Sequence, residues 1–402
     1  MKVLIIDVNY KNSSTGFIVE KTKEYLEKKG DEAVVCYGRG EAVKDTQVYK
    51  FGLDFETIFH AFMTRITGFT GCFSALSTIK LKKIIKQTHP DIIHIHELHG
   101  YFVNITSVLK FIQKSNIPVV WTFHCEFMYT GKCGHALECK KYLDKCGGCP
   151  HLKEYPSSLF FDRTKTMLKQ KKKIMLGFKK LFIVTPSKWL AQRVSDTYLK
   201  KFPISVVHNG VDTSVFNYCG SDYSIFDNLI EKDRKIILFV ASNAMSENKG
   251  GKYTYKIASS LSSDYAVVIV GANVDKPILY NGVYLFPHLN DKKILAKMYS
   301  TAFVSLLLSK RETYGLTIAE SLCCGTKVVA FESGAPETVF LDHNVVFVKY
   351  GDLDCLVSKI QSIATYDKDD VSKESIGKYS SSTMCSNYFD IYSKLLLLEE
   401  EN

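Results

Sequence analysis

The chain repeats one local plan. A short run of apolar residues without polar alternation is followed by a loop of small or polar residues, then by a stretch with apolar residues at helical spacing. Near the start, "KVLIIDV" precedes "NSSTG" and then "FIVEKTKEYLEKKG". Runs that are apolar at every position suit strands buried on both faces, as in a parallel sheet flanked by helices. The plan recurs in "DIIHIHE" (91–97) before "NITSVLKFIQKS", in "PVVWTFH" (118–124), and in "KLFIVTP" (180–186) before "SKWLAQRVSDTYL", where Ser187 is placed to cap a helix. A second series opens with "KIILFVAS" (235–242) before "KGGKYTYKIASSL", a predicted helix. It continues through "AVVIVG" (266–271), "VYLFP" (283–287), "AFVSLLLS" (302–309), "TKVVAF" (326–331) and "NVVFVK" (344–349). At 402 residues the chain exceeds what one hydrophobic core usually supports. Two serial β/α halves therefore predict an α/β protein of two doubly wound domains, residues 1–207 and 208–375, with a closing helix over 376–402 that packs back on the first. Ligands of open α/β sheets bind at the carboxyl ends of the strands, so the loops after the strands are where chemistry is expected.

Composition narrows the function classes. The chain is 46% hydrophobic and 23% charged, an ordinary balance for a globular protein. No apolar run approaches the roughly 18 residues of a membrane helix, and the apolar stretch before Asp7 is too short for a secretory signal; a cytoplasmic location is expected. The formal net charge is +10, with lysines gathered in "IKLKKIIKQ" (79–87) and "RTKTMLKQKKKIMLGFKK" (163–180). Solvated helix faces are one reading of these runs. Peripheral association with an anionic membrane is the other. Nucleic acid is not expected as a partner, because no zinc-finger, helix-turn-helix or RNP-like pattern accompanies the charge.

The stretch "RETYGLTIAESLCCGTKVVAFESGAPE" (311–337) carries the strongest functional signal. A strand leads into it, and Gly315 stands where a helix begins. The amides of Gly315, Leu316 and Thr317 are the unpaired donors of that helix's first turn, where free N–H groups and the helix dipole attract phosphate. Glu320 lies one turn in and Glu312 just before the turn, so each carboxylate can accept hydrogen bonds from sugar hydroxyls. A phosphate site flanked by two such groups describes a nucleotide-diphosphate sugar.

The same stretch resembles the donor-binding signature of the retaining GT-B glycosyltransferases of family 4, the glycosyl transferases group 1. The E-x7-E motif of that family falls on Glu312 and Glu320. Its Gly-Thr-Pro-Val-Val turn falls on Gly325, Thr326, Lys327, Val328 and Val329, with lysine in place of proline, and its Gly-Gly-x-Pro-Glu turn on residues 333–337. "TPSKWLA" (185–191), "HNGVDTSVF" (208–216) and "NKGG" (248–251) extend the likeness over nearly the whole chain. The resemblance implies a GT-B architecture, two Rossmann-like domains facing across a cleft. It places Lys249 at the diphosphate, His124 at the donor sugar and Gly16, in the small-residue loop after the first strand, near the donor. Many relatives carry an arginine about six residues before that lysine, where this chain has Asn243, and commonly an aspartate where this chain has Cys125. Residues 94–100, "HIHELHG", and the segment "CGGCP" narrow the likeness to the WcaC-like colanic-acid, capsular and exopolysaccharide branch, with Glu97 in place of an asparagine and with His99 and Gly100 bordering the acceptor.

The implied reaction moves a hexose-type sugar from a nucleotide-diphosphate donor to a saccharide or lipid-linked acceptor, with retention and with no cofactor required for catalysis. A nucleotide-sugar epimerase of the same fold and a non-catalytic sugar-nucleotide-binding subunit are the rival readings; the retention of Glu312, Glu320 and Lys249 speaks against the second. A nicotinamide dehydrogenase is disfavoured because no G-x-G-x-x-G follows a strand. Four of the twelve cysteines, Cys133, Cys139, Cys146 and Cys149, form a C-x5-C-x6-C-x2-C run within a loop over 130–150. Four thiolates are a complete structural zinc site with no open position for catalysis. Free thiols and a redox pair remain alternative readings of the same spacing.

Overall fold

A computed structural model describes residues 1–227 and 229–400, and these divide into two compact units, residues 1–207 with 385–400, and the described residues of 208–384. In the first unit the strands are β1 (Lys2–Asp7), β2 (Glu32–Tyr37), β3 (Val48–Lys50), β4 (Ile92–Ile95), β5 (Val119–Thr122), β6 (Leu181–Thr185) and β7 (Ile204–Val206). The helices around them are α1 (Ser14–Lys28), α2 (Asp54–Thr67), α3 (Ala75–Thr88), α4 (Ile105–Ser115), α5 (Thr164–Met175) and α6 (Lys188–Ser195). In the second unit the strands are β8 (Lys235–Val240), β9 (Tyr265–Val270), β10 (Ile278–Tyr280), β11 (Val283–Phe286), β12 (Val304–Leu307), β13 (Val328–Phe331) and β14 (Val345–Val348). Its helices are α7 (Lys252–Ser259), α8 (Lys292–Thr301), α9 (Leu316–Cys323), α10 (Pro336–Val339), α11 (Leu353–Gln361) and α12 (Lys368–Tyr379), and α13 (Ser381–Glu400) closes the chain.

Each unit holds one seven-stranded sheet, in the orders β3-β2-β1-β4-β5-β6-β7 and β10-β11-β9-β8-β12-β13-β14. Every pairing in the first is parallel, and so is every pairing in the second but β10 with β11. Strands β4, β5, β11, β12 and β13 are buried at every position, as their predominantly apolar sequences require. The order reverses beside β1 in one sheet and beside β8 in the other, so the loops after β1, β4, β8 and β12 flank the switch points where such sheets bind ligands.

Three sequence expectations need correction. The helix expected from Lys249 starts at Lys252, because Gly250 turns back at φ +79° before it. Residues 376–379 end α12 instead of opening the last helix, which begins at Ser381. The lysine run over 163–180 is not a uniformly solvated face: Lys171 is buried, its Nζ donating to the carbonyls of Phe127 and Thr130 at 2.6 and 3.2 Å. No helix of the described residues is long and apolar enough to cross a membrane.

Candidate functional site

In the second unit, β12 delivers residues 308–312 into a loop whose edge is held by main-chain bonds. Glu312 N donates to Ser333 O at 3.0 Å, and Lys310 N donates to Asn248 O at 2.7 Å. These bonds fix the Glu312 loop against both the Gly-Ala-Pro-Glu turn and the segment that carries Lys249. The two sequence-predicted residues meet: Lys249 Nζ lies 2.6 Å from Glu312 Oε1, with both side chains partly exposed. The turn itself is tied by Glu337, whose carboxylate accepts from the amides of Ser333 and Gly334 at 3.1 and 2.7 Å. Gly315 starts α9 at φ +102°, a conformation that a side chain disfavours, and a Cβ there would lie 3.2 Å from Pro336 Cγ. That backbone turn aims the first amides of α9, including those of Leu316 and Thr317, out of the helix start, where helical geometry leaves them without i−4 acceptors. Glu320 lies one turn further on, and Tyr299 Oη donates to its Oε2 at 3.2 Å. Burial raises the Glu320 carboxyl to about 7, against the lowering effect of the Tyr299 hydrogen bond.

The first unit places a different kind of site at the ends of β1, β4 and β5. A directed chain of hydrogen bonds underlies it. Thr122 Oγ1 donates to Tyr388 Oη at 3.2 Å, so His94 Nε2, at 2.8 Å from the same oxygen, carries its proton and donates to Thr122. His94 Nδ1 is then the acceptor for Tyr392 Oη at 2.6 Å. Both tyrosines come from α13. The chain works only with a neutral imidazole, and burial presses the His94 pKa down to about 3. Above it His96 Nδ1 stands 2.9 Å from His124 Nε2, the two rings stacked at 5.2 Å. His96 Nε2 is buried without a partner among the described residues. An orphan lone pair costs less than an orphan N–H, so His96 is assigned to donate from Nδ1, which leaves the His124 proton on Nδ1. Burial also holds His124 down at about 4.

Glu97 is the hub of the remaining contacts. Its amide donates to Asp7 Oδ1 at 3.0 Å, its carboxylate closely pairs with His99 Nδ1, and Cys125 Sγ lies 3.7 Å from Oε2. Burial raises the Glu97 pKa, but the nearby His99 charge and hydrogen bond outweigh it, and the net effect is a lowering; the same pairing raises His99 against its own burial. Asp7 is pushed up to about 7 by burial, with the Glu97 charge adding to the rise. His99 stacks on Phe127 at 5.0 Å, and Gly100 follows it at φ +133°. Gly16 is turned inward: its amide donates to the Ser13 hydroxyl at 2.8 Å and its carbonyl accepts from Lys11 N at 3.1 Å, while Asn12, Ser13 and Ser14 are the exposed members of that loop.

The family pattern described as Glycosyltransferase Family 4 matches residues 18–215, and that described as Glycosyl transferases group 1 matches residues 221–380. The chain belongs to the family 4 glycosyltransferases. It is 24% identical over 327 residues to a protein of Escherichia coli (strain K12) named as a colanic acid biosynthesis glycosyl transferase, WcaC, covering 78% of this chain and 79% of the relative. Among solved structures, sucrose-phosphate synthase from Thermosynechococcus elongatus superposes with a TM-score of 0.68 at 14% identity, over 99% of this chain and all of that one. Anabaena HepE in complex with UDP-glucose superposes with a TM-score of 0.65 at 13% identity, over 98% of this chain and 100% of that one. This two-domain α/β fold is the GT-B fold.

Within this glycosyltransferase, sequence reasoning missed Asp7, Tyr388 and Tyr392 and treated Glu97 only as a departure from the family. Asp7 carried a signal, a carboxylate at the end of an otherwise apolar buried strand. The tyrosines carried none, since their partners lie more than 250 residues away in the chain. Cys133, Cys139, Cys146 and Cys149 line one small pocket with Lys132 and Tyr142, and none of the four is in a disulfide. Among the described residues, the group of three acidic, histidine or cysteine ligand atoms mutually within 4.8 Å is Glu97, His99 and Cys125, not a trio from this pocket. Lys132 Nζ donates to the carbonyls of His151, Leu152 and Glu154 at 2.7–2.8 Å and ties the start of the cysteine loop to the segment that follows it, while Lys171 Nζ donates to Phe127 and Thr130 at the loop's entry.

Proposed function

We propose that this glycosyltransferase moves a hexose from a nucleotide-diphosphate sugar to a glycan or lipid-linked saccharide acceptor, with retention and without a catalytic metal, in the assembly of a surface polysaccharide. The observation that carries the reading is the Lys249–Glu312 pair, held at the mouth of α9 with Glu320 one turn inside. The donor diphosphate is assigned to the amides of Gly315, Leu316 and Thr317 and to Lys249, which together stabilise the negative charge that develops as the sugar leaves. Lys249 carries more of this work here than in relatives, because Asn243 stands where they have an arginine. Glu320 is assigned to the ribose hydroxyls and Glu312 to the hydroxyls of the sugar. In the first unit, His124 is assigned to a sugar oxygen and His99 with Gly100 to the acceptor, as the family resemblance implies. Glu97 takes over the carboxylate that relatives carry at position 125, approaching the same place from the neighbouring strand end. Polysaccharide assembly is the role named for the Escherichia coli relative, and UDP-hexoses are the first donors to test because HepE was solved with UDP-glucose.

The four-cysteine loop is assigned to structural zinc. The donor set fits in kind, four thiols on one pocket above a loop that has little apolar core of its own, and zinc binding would draw the sulfurs together and staple residues 133–149. Metal analysis of protein purified without added zinc should return about one zinc per chain, and a zinc-free protein would discard the assignment.

A screen of UDP-, GDP-, ADP- and dTDP-sugars by thermal shift identifies the donor, since binding raises the melting temperature by mass action. Incubation with the chosen donor and a saccharide acceptor should then release free nucleotide and give a glycoside with the anomeric configuration of the donor, in the presence of EDTA. Inversion at that carbon, or an epimerised donor formed without acceptor, would overturn the reading.

A further inference from the structure

Helix α2 is amphipathic in the wrong sense for a protein surrounded by water. Its inner face is polar: Glu56, His60 and Thr64 are buried. Glu56 accepts from the amides of Leu76 and Ser77 at 2.8 and 2.7 Å and so caps α3, while His60 bonds the Ser74 hydroxyl at 2.7 Å and accepts from Cys72 N at 3.1 Å. Its outer face is apolar: Phe55, Ile58, Phe59 and Phe62, at the i, i+3, i+4, i+7 spacing of one helical stripe, are 62, 72, 52 and 56% exposed. The patch continues onto Leu76 and Ile79 at the start of α3, which are 53 and 62% exposed. It also continues onto the Leu-Phe-Phe tip at residues 159–161, which is anchored to the end of α2 by Leu159 N donating to Arg65 O at 2.8 Å. Contiguous exposed apolar surface of this size marks an interaction site.

The charge around the patch says what covers it. Helix α3 contains four lysines and no acidic residue, and α5 contains four lysines besides the buried Lys171 and no acidic residue. Lys80, Lys83, Lys86, Arg65 and Arg163 are exposed on or beside the patch. A second copy of the chain would press this cationic face against the same cationic face, because a two-fold interface uses one patch from both copies. An anionic bilayer neutralises them while its acyl boundary takes the aromatic stripe.

We propose that this face of the first unit, built from α2, the start of α3 and the 159–161 tip, seats the protein on the surface of an anionic lipid bilayer. The patch is joined to the acceptor side by aromatic contacts. The His60 ring lies 5.6 Å from Tyr101, Tyr101 lies 5.6 Å from Tyr155, and Tyr155 lies 6.2 Å from His99. On the reading of His99 given above, an acceptor whose lipid tail stays in the bilayer would present its saccharide there.

Co-sedimentation with vesicles tests the seating without turnover, so its failure and failure of the transfer reading are separately visible. Wild-type protein should pellet with vesicles of phosphatidylcholine and phosphatidylglycerol, less so at high salt, and weakly with phosphatidylcholine alone. Replacing Phe55, Ile58, Phe59 and Phe62 by serine should abolish binding at every salt concentration. Lys80→Glu with Lys83→Glu should lower it about tenfold or more at low salt. All six side chains are exposed, and circular dichroism melting verifies that the variants fold. The proposal is overturned if wild-type protein ignores both kinds of vesicle, if the serine variant still pellets, or if light scattering shows a dimer that the serine substitutions convert to monomer.

Discussion

At the ends of β1, β4 and β5 the ionisable side chains bond to one another. His94 is locked between Thr122 and Tyr392, His96 faces His124, and Glu97 holds His99 and the thiol of Cys125. At the ends of β8 and β12, in a sheet of the same design, the side chains are few and the backbone does the positioning: Gly315 turns the start of α9, Glu337 ties two amides, and Lys249 with Glu312 stands partly exposed. The first arrangement is preorganised by buried side chains, so disturbing it should disturb the fold. The second is preorganised by main chain and loop bonds, so its side chains are available to a ligand and can be removed at little cost to stability.

The largest expected effect separates these two costs. Glu312→Gln or Lys249→Ala should lower kcat about 10²–10³-fold, the loss typical of removing one charge-stabilising contact. The melting temperature should stay within the small range set by a partly exposed ion pair worth about 0–1 kcal/mol. Steady-state release of nucleotide and differential scanning fluorimetry on the same samples measure both. A large loss of stability with unchanged turnover would place the pair in the fold and not in the site.

The pH dependence of stability should run in opposite senses in the two places. His94 has a folded pKa of about 3, below its ordinary value of 6.5, so its stabilising contribution is present above pH 6.5 and is lost as pH falls toward 3. Glu320 has a folded pKa of about 7, above its ordinary 4.5, so its contribution is present below pH 4.5 and is lost as pH rises through 7. Glu320→Gln should therefore gain on wild type between pH 4.5 and 7, and His94→Gln should gain on wild type as pH drops below 6.5, each at up to about 1.4 kcal/mol per pH unit. Asp7 is an exception within the first unit, an acid raised to about 7 that titrates in the same sense as Glu320. Denaturant unfolding of the two variants across pH 4–8 reads both slopes; parallel profiles would show that the two carboxyl ends are not distinct in this respect.

Thr122→Val should show the reverse of the Glu312 pattern. It removes the acceptor for His94 and the donor to Tyr388, both buried, at a cost of about 1–3 kcal/mol for the groups left unpaired. Thermal melting should fall by several degrees while turnover at room temperature is kept. A fall in turnover with intact stability would mean that the histidine chain acts in the reaction.

What the sequence made readable follows from the range of the interactions. The parallel strands were legible because burial on both faces leaves a local mark, an uninterrupted apolar run. The motif over 311–337 was legible because Glu312, Gly315 and Glu320 lie on one strand-loop-helix unit. The β10–β11 hairpin went unread although Asn281 and Gly282, both at positive φ, are a strong two-residue hairpin signal. Strand β3 is three residues long at the edge of its sheet and has too few positions for a pattern. Helix α2 hid its meaning because periodicity reports that a stripe exists and not which side faces inward. The pairing of Lys249 with Glu312 and the seat of His94 beneath α13 join residues 63 and 298 positions apart, and only the fold brings them together.

The smallest predicted effect concerns two of the departures from the family pattern, Glu97 and Cys125, which the structure makes neighbours. Cys125→Asp alone restores the residue common in relatives but sets a second carboxylate beside Glu97 in a buried place, where like charges resist ionising together. Glu97→Asn alone leaves His99 without its partner. The double variant, with asparagine at 97 and aspartate at 125, returns a single carboxylate from the other strand end and should be more stable and more active than the sum of its parts. The coupling in denaturant unfolding is expected in the range of about 0.5–3 kcal/mol, favourable in sign. Strict additivity would mean that the carboxylate has not moved between the two strand ends but serves a separate purpose at each, and the first unit would then hold two independent positions where its hydrogen bonds describe one.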